Sequence, residues 1–202
     1  MIKDKYIETI RTGIFGGKAT SDRLYQADPR RIELDITNAF NKIFFDAFKK
    51  FPSNLDRYAK PYKNVAVQYD SSTSTYYSVL PVPVIQFPTV GDGIRRISTM
   101  RGKDVEFVPI QQKDENLLKG SEWGELSDTA GYYLSGATVY YDERFDPIIT
   151  AVKMDLVIPF TEYAMTDDVP VPAGKDLDVV NIIRQMYGEK PVDRLNNENE
   201  LA

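Results

Sequence analysis

Apolar residues recur along this chain with two different periods, and the places where the period changes divide it into parts. Tyr6, Ile7, Ile10 and Ile14 fall at helical spacing before the break at Gly16-Gly17. This predicts a short amphipathic helix over about residues 3–14, read as a lid or an arm. A stronger helix follows, with Asp28 as N-cap, Pro29 at the first helical position, and a stripe through Ile32, Ile36, Phe40, Ile43, Phe44, Ala47, Phe48 and Phe51. Pro52 stops it, because a proline pushes the residue before it out of the helical region.

From Asn64 the period becomes two. Val65, Val67 and Tyr69, the polar stretch DSSTST, and Tyr76, Tyr77, Val79 and Leu80 read as a hairpin. The runs Val82 to Phe87, Gly93 to Met100 and Val105 to Ile110 are short, β-branched and punctuated by prolines, which marks edge strands and crossing segments. Tyr132-Tyr133-Leu134, a Ser135-Gly136 turn and Val139-Tyr140-Tyr141 form the clearest tight hairpin. Ile148, Thr150, Val152, Met154, Leu156 and Ile158 then alternate with Lys153 and Asp155, predicting a strand with one dry and one wet side.

The helical period returns with Leu177, Val179, Val180, Ile182, Ile183 and Met186, ended by Gly188 and Pro191, and so many apolar positions predict a helix buried around most of its circumference. The expected plan is α+β: a helical core of long N- and C-terminal helices with an inserted antiparallel β lobe. Its parts are a helical segment 1–63, a β-rich insertion 64–165, a C-terminal helix 166–190 packed on the first helices, and a flexible or partner-bound tail 191–202.

Composition narrows the chemistry. The 202 residues are 42% apolar and 27% charged, enough to build a core at this size without staples. The chain contains no Cys and no His, which removes thiol nucleophiles, Ser-His and Cys-His pairs and the usual zinc ligands. No catalytic residue, cofactor site or metal site is expected, and the chain is not read as an enzyme. The first 15 residues lack a continuous apolar stretch and no run suits a bilayer, so a soluble product without a cleaved signal is expected. Charge is distributed unevenly: residues 1–63 carry 13 Lys+Arg against 8 Asp+Glu, and residues 64–202 carry 12 against 22. Such a chain is electrically two-ended, either by chance clustering or because its ends face different surroundings.

The individual motifs are weak. Gly16-Gly17-Lys18 lacks the glycine and hydroxyl positions of a phosphate loop and follows a predicted helix, so it reads as a hinge. The acid pairs Asp142-Glu143, Asp167-Asp168 and Asp176/Asp178 read as solvated loop acids. Arg95-Arg96 would point to opposite faces of a strand. More informative are the doubled tyrosines Tyr76-Tyr77, Tyr132-Tyr133 and Tyr140-Tyr141, which put tyrosine on both faces of the β part. Either both faces are covered, or one tyrosine of each pair is buried and the other exposed. Base stacking is opposed by the acidic excess.

Several strings together resemble a known family. RIELDITNAFNKIFFDAF, VAVQYDSSTSTYYSVLPVPVIQF, GIRRISTM with EFVPI, the GYYLSGATVYY hairpin and VPVPAGKDLDVVNIIRQMYGEKPVDRLNNEN are similar to head-to-tail connector or ring proteins of short-tailed, crAss-like phages. The resemblance spans about residues 1–199 and rests on order and phrasing. It implies a helical core with a β insertion, as in phage head-tail adaptors. It also implies a structural virion protein, a subunit of a ring, dodecameric in form, under the portal and around the channel through which DNA leaves. The implied partners are other copies of the chain, the portal protein and adjacent tail rings. Genomic DNA passes without specific binding, no membrane is involved, and the location is the virion, with the host cytoplasm during assembly. Candidate interface residues are Tyr76, Tyr77, Tyr132, Tyr133, Tyr140, Tyr141, Arg30, Arg31 and Leu195. The rival readings are a tail-associated module binding a surface ligand and a hydrolase working with carboxylates alone.

Overall fold

The computed structural model describes residues 2–15, 28–50, 52–87, 93–100, 105–111, 129–142, 144–171 and 175–188. They form a sheet-rich α+β structure of three α-helices and eight strands in two sheets, not a helical core with long terminal helices and an inserted lobe. The terminal helices are short, α1 spanning Lys3–Phe15 and α3 Asp176–Met186, and only α2, Pro29–Lys50, is long. The chain divides into two compact units, residues 1–58 with 159–202, and residues 59–158. The second unit is not an appendage, because its strands bury an apolar core of their own, including Val65, Ile97, Val139, Val152, Met154 and Leu156.

In the first unit, α2 begins as its sequence dictates: the Asp28 carboxylate accepts the Arg30 N–H at 2.9 Å and the Asp28 carbonyl accepts the Ile32 N–H at 3.0 Å. Its stripe of Ile32, Ile36, Phe40, Phe44 and Phe48 is buried, as is Ile183 of α3. Phe40 lies 4.8 Å from Phe44 and 5.8 Å from Phe160, ring centre to ring centre, and Phe44 lies 5.7 Å from Tyr58. Helix α1 is neither lid nor arm. Tyr6 and Ile10 are fully buried, and Lys3 is buried with its ammonium donating to the carbonyls of Thr161 and Tyr163 and paired with Glu33. Of the apolar set on α3, Val179 and Ile183 are buried, Leu177, Val180 and Ile182 are half-buried and Met186 is exposed, so the cover extends around much of the helix but is complete along only one stripe.

In the second unit a three-stranded sheet has the order β1-β8-β4, with β1 Lys60–Ala66, β4 Ile94–Thr99 and β8 Ala151–Leu156, all antiparallel. A five-stranded sheet has the order β2-β3-β7-β6-β5, with β2 Gln68–Asp70, β3 Thr75–Val79, β5 Glu106–Pro109, β6 Thr129–Ser135 and β7 Thr138–Tyr141. The alternation from Val65 to Tyr69 is not one hairpin arm. The Val67 N–H bonds to the Thr150 carbonyl at 2.9 Å, and the next residue, Gln68, pairs with Tyr77 in the other sheet. Residues 82–87 form no ladder, since Pro81 and Pro83 have no N–H to give. The β part is not wholly antiparallel either, because β5 runs parallel to β6. Strand β8 alternates as expected: Val152, Met154 and Leu156 are buried, and Lys153 and Asp155 pair with each other at 3.2 Å on the wetter side.

Folding also removes the charge asymmetry read along the chain. The basic start and the acidic end fall in the same unit, which holds 15 Lys+Arg against 17 Asp+Glu, while the second unit holds 10 against 13. Both units are mildly acidic.

Candidate functional site

Cross-strand partners share a face of a sheet, so the registers of the five-stranded sheet sort its tyrosines. Tyr132 faces Tyr141 across β6 and β7, while Tyr133 faces Tyr140, which in turn faces Tyr77 on β3, which faces Gln68 on β2. Tyr132 and Tyr141 therefore lie on the inner face with Val139 and Ser78, where all four are buried. Tyr76 is half-buried on the same face. Tyr141 stacks on Phe145 at 4.5 Å and donates its hydroxyl to Ser78 Oγ at 3.0 Å. Half of the doubled tyrosines thus belong to the packed face, and the row Tyr77, Tyr140, Tyr133 lies across the other.

That outer row is half-buried and shares its face with Val79 and Val108, which are 52% and 37% exposed. Tyr133 and Tyr140 lie 5.3 Å apart at an interplanar angle of 17°, and Tyr77 and Tyr140 lie 6.2 Å apart at 37°. Near-parallel rings at the first spacing, with their planes at van der Waals separation, are displaced sideways by roughly 3.5–4 Å, more than a ring width, so they meet edge over edge and little of either π-face is covered. The Tyr77 hydroxyl donates to Gln68 Oε1 at 2.6 Å.

Beside this row the chain leaves β7 over Gly131. Asp142 is 5% exposed, and its carboxylate accepts the Arg144 Nε at 2.7 Å together with the Arg144 Nη2 and backbone N–H. Asp142 is therefore not a solvated loop acid; Arg144 cancels its charge. A Cβ on Gly131 would lie 2.6 Å from Asp142 Oδ2 and 3.0 Å from Ile110 Cδ1, so only glycine lets the pair sit there. Gly131→Ala is expected to cost about 1–3 kcal/mol as an overpacking change. Urea unfolding reads this directly, and a variant as stable as the parent would show that the pair moves freely.

The inner tyrosines predict an alkaline transition. Burial pushes the Tyr132 hydroxyl up to about 12, against the pull of Arg95, and burial raises Tyr141 in the same direction. Unfolded tyrosine ionises near pH 10, so the contribution from Tyr132 is complete below pH 10 and is lost between about pH 10 and pH 12. Two pH units correspond to about 2–3 kcal/mol. Denaturant midpoints at pH 9 and above pH 11 should therefore separate, with a smaller separation in Tyr132→Phe; equal separation would contradict the assignment.

The remaining candidates are scattered. Arg30 and Arg31 are exposed on the first turn of α2. The Tyr187 hydroxyl, pushed up to about 12 by burial and then by Asp35, donates to Asp35 Oδ2 at 2.6 Å, with Arg31 acting in the opposite direction. Leu195 lies outside the described residues, as do Gly16-Gly17-Lys18 and Glu143. Arg96 is exposed and Arg95 half-buried. Asp167 caps its own turn by accepting the Ala164 N–H at 3.0 Å, and Asp178 pairs with Lys175. Among the described residues no acid cluster suits a metal ion, and no helix is long and apolar enough to cross a membrane. The sequence reading missed Val79, Val108 and the Asp142/Arg144 pair. The one signal for the pair was an acid and a base two residues apart just after a strand. Comparison of the chain with protein-family models, curated proteins and solved structures finds no match.

Proposed function

We propose that this chain is a structural virion protein, a subunit of a closed ring in the head-tail connector of a short-tailed phage, seated below the portal and forming part of the DNA channel. The observation that carries the reading is the outer tyrosine row. Its rings, hydroxyls and flanking valines form a mixed apolar and hydrogen-bonding surface of the kind protein partners cover. The strings that resemble the connector family supply the setting. The reading rests on this surface and not on a helical adaptor core, which the described residues do not form.

A channel wall must not hold DNA. Duplex affinity comes from Lys and Arg neutralising phosphates, and each unit here has more acids than bases. No retardation of duplex DNA by the free protein is expected at physiological salt. Binding that falls steeply with salt and is lost when Arg30 and Arg31 are reversed in charge would contradict a non-gripping wall.

The direct test is the mass of the purified protein alone and mixed with the phage portal protein. A ring on the portal is expected. A chain that stays monomeric with the portal and binds a soluble saccharide would favour the surface-ligand module instead.

A further inference from the structure

Strand register sorts the charges of the second unit as it sorts the tyrosines. On the outer side of the five-stranded sheet, Asp70 and Glu106 share the face of Tyr77, Tyr140 and Tyr133. The Asp70 carboxylate accepts the Ser72 hydroxyl at 2.7 Å, the Ser72 N–H at 2.9 Å and the Thr73 hydroxyl at 3.0 Å, bonds that hold it below the usual carboxylate range and so keep it charged. The cation beside this face, Arg144, is committed to Asp142. Tyrosine rings and unneutralised acids together make a surface that calls for lysine and arginine.

The three-stranded sheet has the reverse character. Val152, Met154 and Leu156 are buried on one side of β8, which leaves Lys153 and Asp155 on the other. Arg96 of β4 lies opposite Asp155 and Ser98 opposite Lys153, on that same outer side. Lys63 stands exposed in the β1 bulge, also opposite Lys153. Three cations therefore share this face with one carboxylate, which already pairs with Lys153 at 3.2 Å.

One exposed ion pair is worth little, so no single charge would hold two molecules together. Several cations set against a row of tyrosines add ring contacts to the charge attraction, and arginine in particular stacks on aromatic faces. The Tyr133 and Tyr140 rings cover little of one another's π-faces, which leaves them able to take such contacts. Both units are acidic overall, so two copies repel at long range, and the juxtaposition of these two faces is attractive. We infer that the Lys63/Arg96/Lys153 face of one copy seats on the Asp70/Tyr77/Tyr140/Tyr133 face of the next, a head-to-tail contact made by residues 59–158. The two faces differ, so the contact is heterologous and propagates, as ring closure requires. The inference rests on the ring reading and names the surfaces that make it.

The absence of cysteine allows a proximity test. Val79→Cys lies on the tyrosine face and Ser98→Cys on the cationic face. Under mild oxidation, alone and mixed with the portal protein, the full chain carrying both should give a ladder of trimers and higher multimers on a denaturing gel. Each single variant, or Val79→Cys combined with Lys42→Cys on α2, should stop at dimers. Arg96→Glu should raise the concentration for half-assembly at least about tenfold with an unchanged melting temperature, and Arg96→Gln should act in the same direction by less. Lys42→Glu, the same charge change at an exposed position of α2, should leave it within about twofold. No ladder above the Lys42 control, or equal effects of Arg96→Glu and Lys42→Glu, overturns the inference. If rings still form on the portal in that case, the inference alone has failed; if the ladder forms but no ring appears with the portal, the connector reading has failed and the contact stands.

Discussion

Phe44→Ala is expected to remove about 3–5 kcal/mol of stability from the first unit. Phe44 is 1% exposed in the middle of α2, with Phe40 and Tyr58 against its ring. Truncation forfeits the ring's burial and leaves a void that α2 cannot close without displacing Phe40, which also packs on Phe160. Alanine's better helix propensity returns only about half a kcal/mol. The internal control is Leu34, on the same helix but 57% exposed, where Leu34→Ala should change stability by less than about 0.5 kcal/mol. Denaturant unfolding of the two variants separates burial from helix formation. Equal losses would show that α2 is covered on a different face.

The second large effect is at Lys3, whose ammonium has three partners: the carbonyls of Thr161 at 3.1 Å and Tyr163 at 2.9 Å, and the carboxylate of Glu33. It also lies 5.2 Å from the centre of the Phe160 ring. Lys3→Met keeps the aliphatic stem and removes the charge, leaving two carbonyls without their donor and Glu33 without its cation. Glu33 is partly exposed and regains some hydration, so the expected loss is about 3 kcal/mol, at the lower end for a broken buried pair. Glu33→Gln keeps an acceptor and should lose about 1 kcal/mol. The Lys3→Met/Glu33→Leu double variant should be more stable than Lys3→Met alone, because no unpaired charge remains. A double variant no more stable than Lys3→Met would show that the pair is not coupled.

These two sites mark where the sequence was and was not legible. Helix α2 could be read because its stop and start signals are local: Asp28-Pro29 at one end, Pro52 at the other and a phenylalanine stripe between them. The hairpin at 129–141 could be read for the same reason, with Gly136 in the left-handed region at φ 61° in its turn. What depends on distant partners could not. Alternation runs unbroken through Val67 although the chain changes sheets there, since both sheets impose the same period. Nothing local tells Lys3 that it will meet Thr161 and Tyr163, so α1 reads as a loose arm. The apolar residues of α3 report how much surface could be covered, not that only Val179 and Ile183 would be buried.

For the candidate surface, doubling of the tyrosines announced two faces, but identical side chains cannot say which face is wet. Strand register decides it, placing Tyr132 and Tyr141 inside and Tyr77, Tyr133 and Tyr140 outside. The charge reading failed for a related reason. Charge was summed along the chain, whereas the fold joins the basic first segment to the acidic last one in a single unit.

The most direct test of the connector assignment is the copy number of this chain in purified phage particles, measured by quantitative mass spectrometry against the portal subunit. The ring account predicts that the chain is present in a fixed ratio to the portal, at ring stoichiometry. Its absence from particles that contain the portal, or a single copy per particle, would contradict the account.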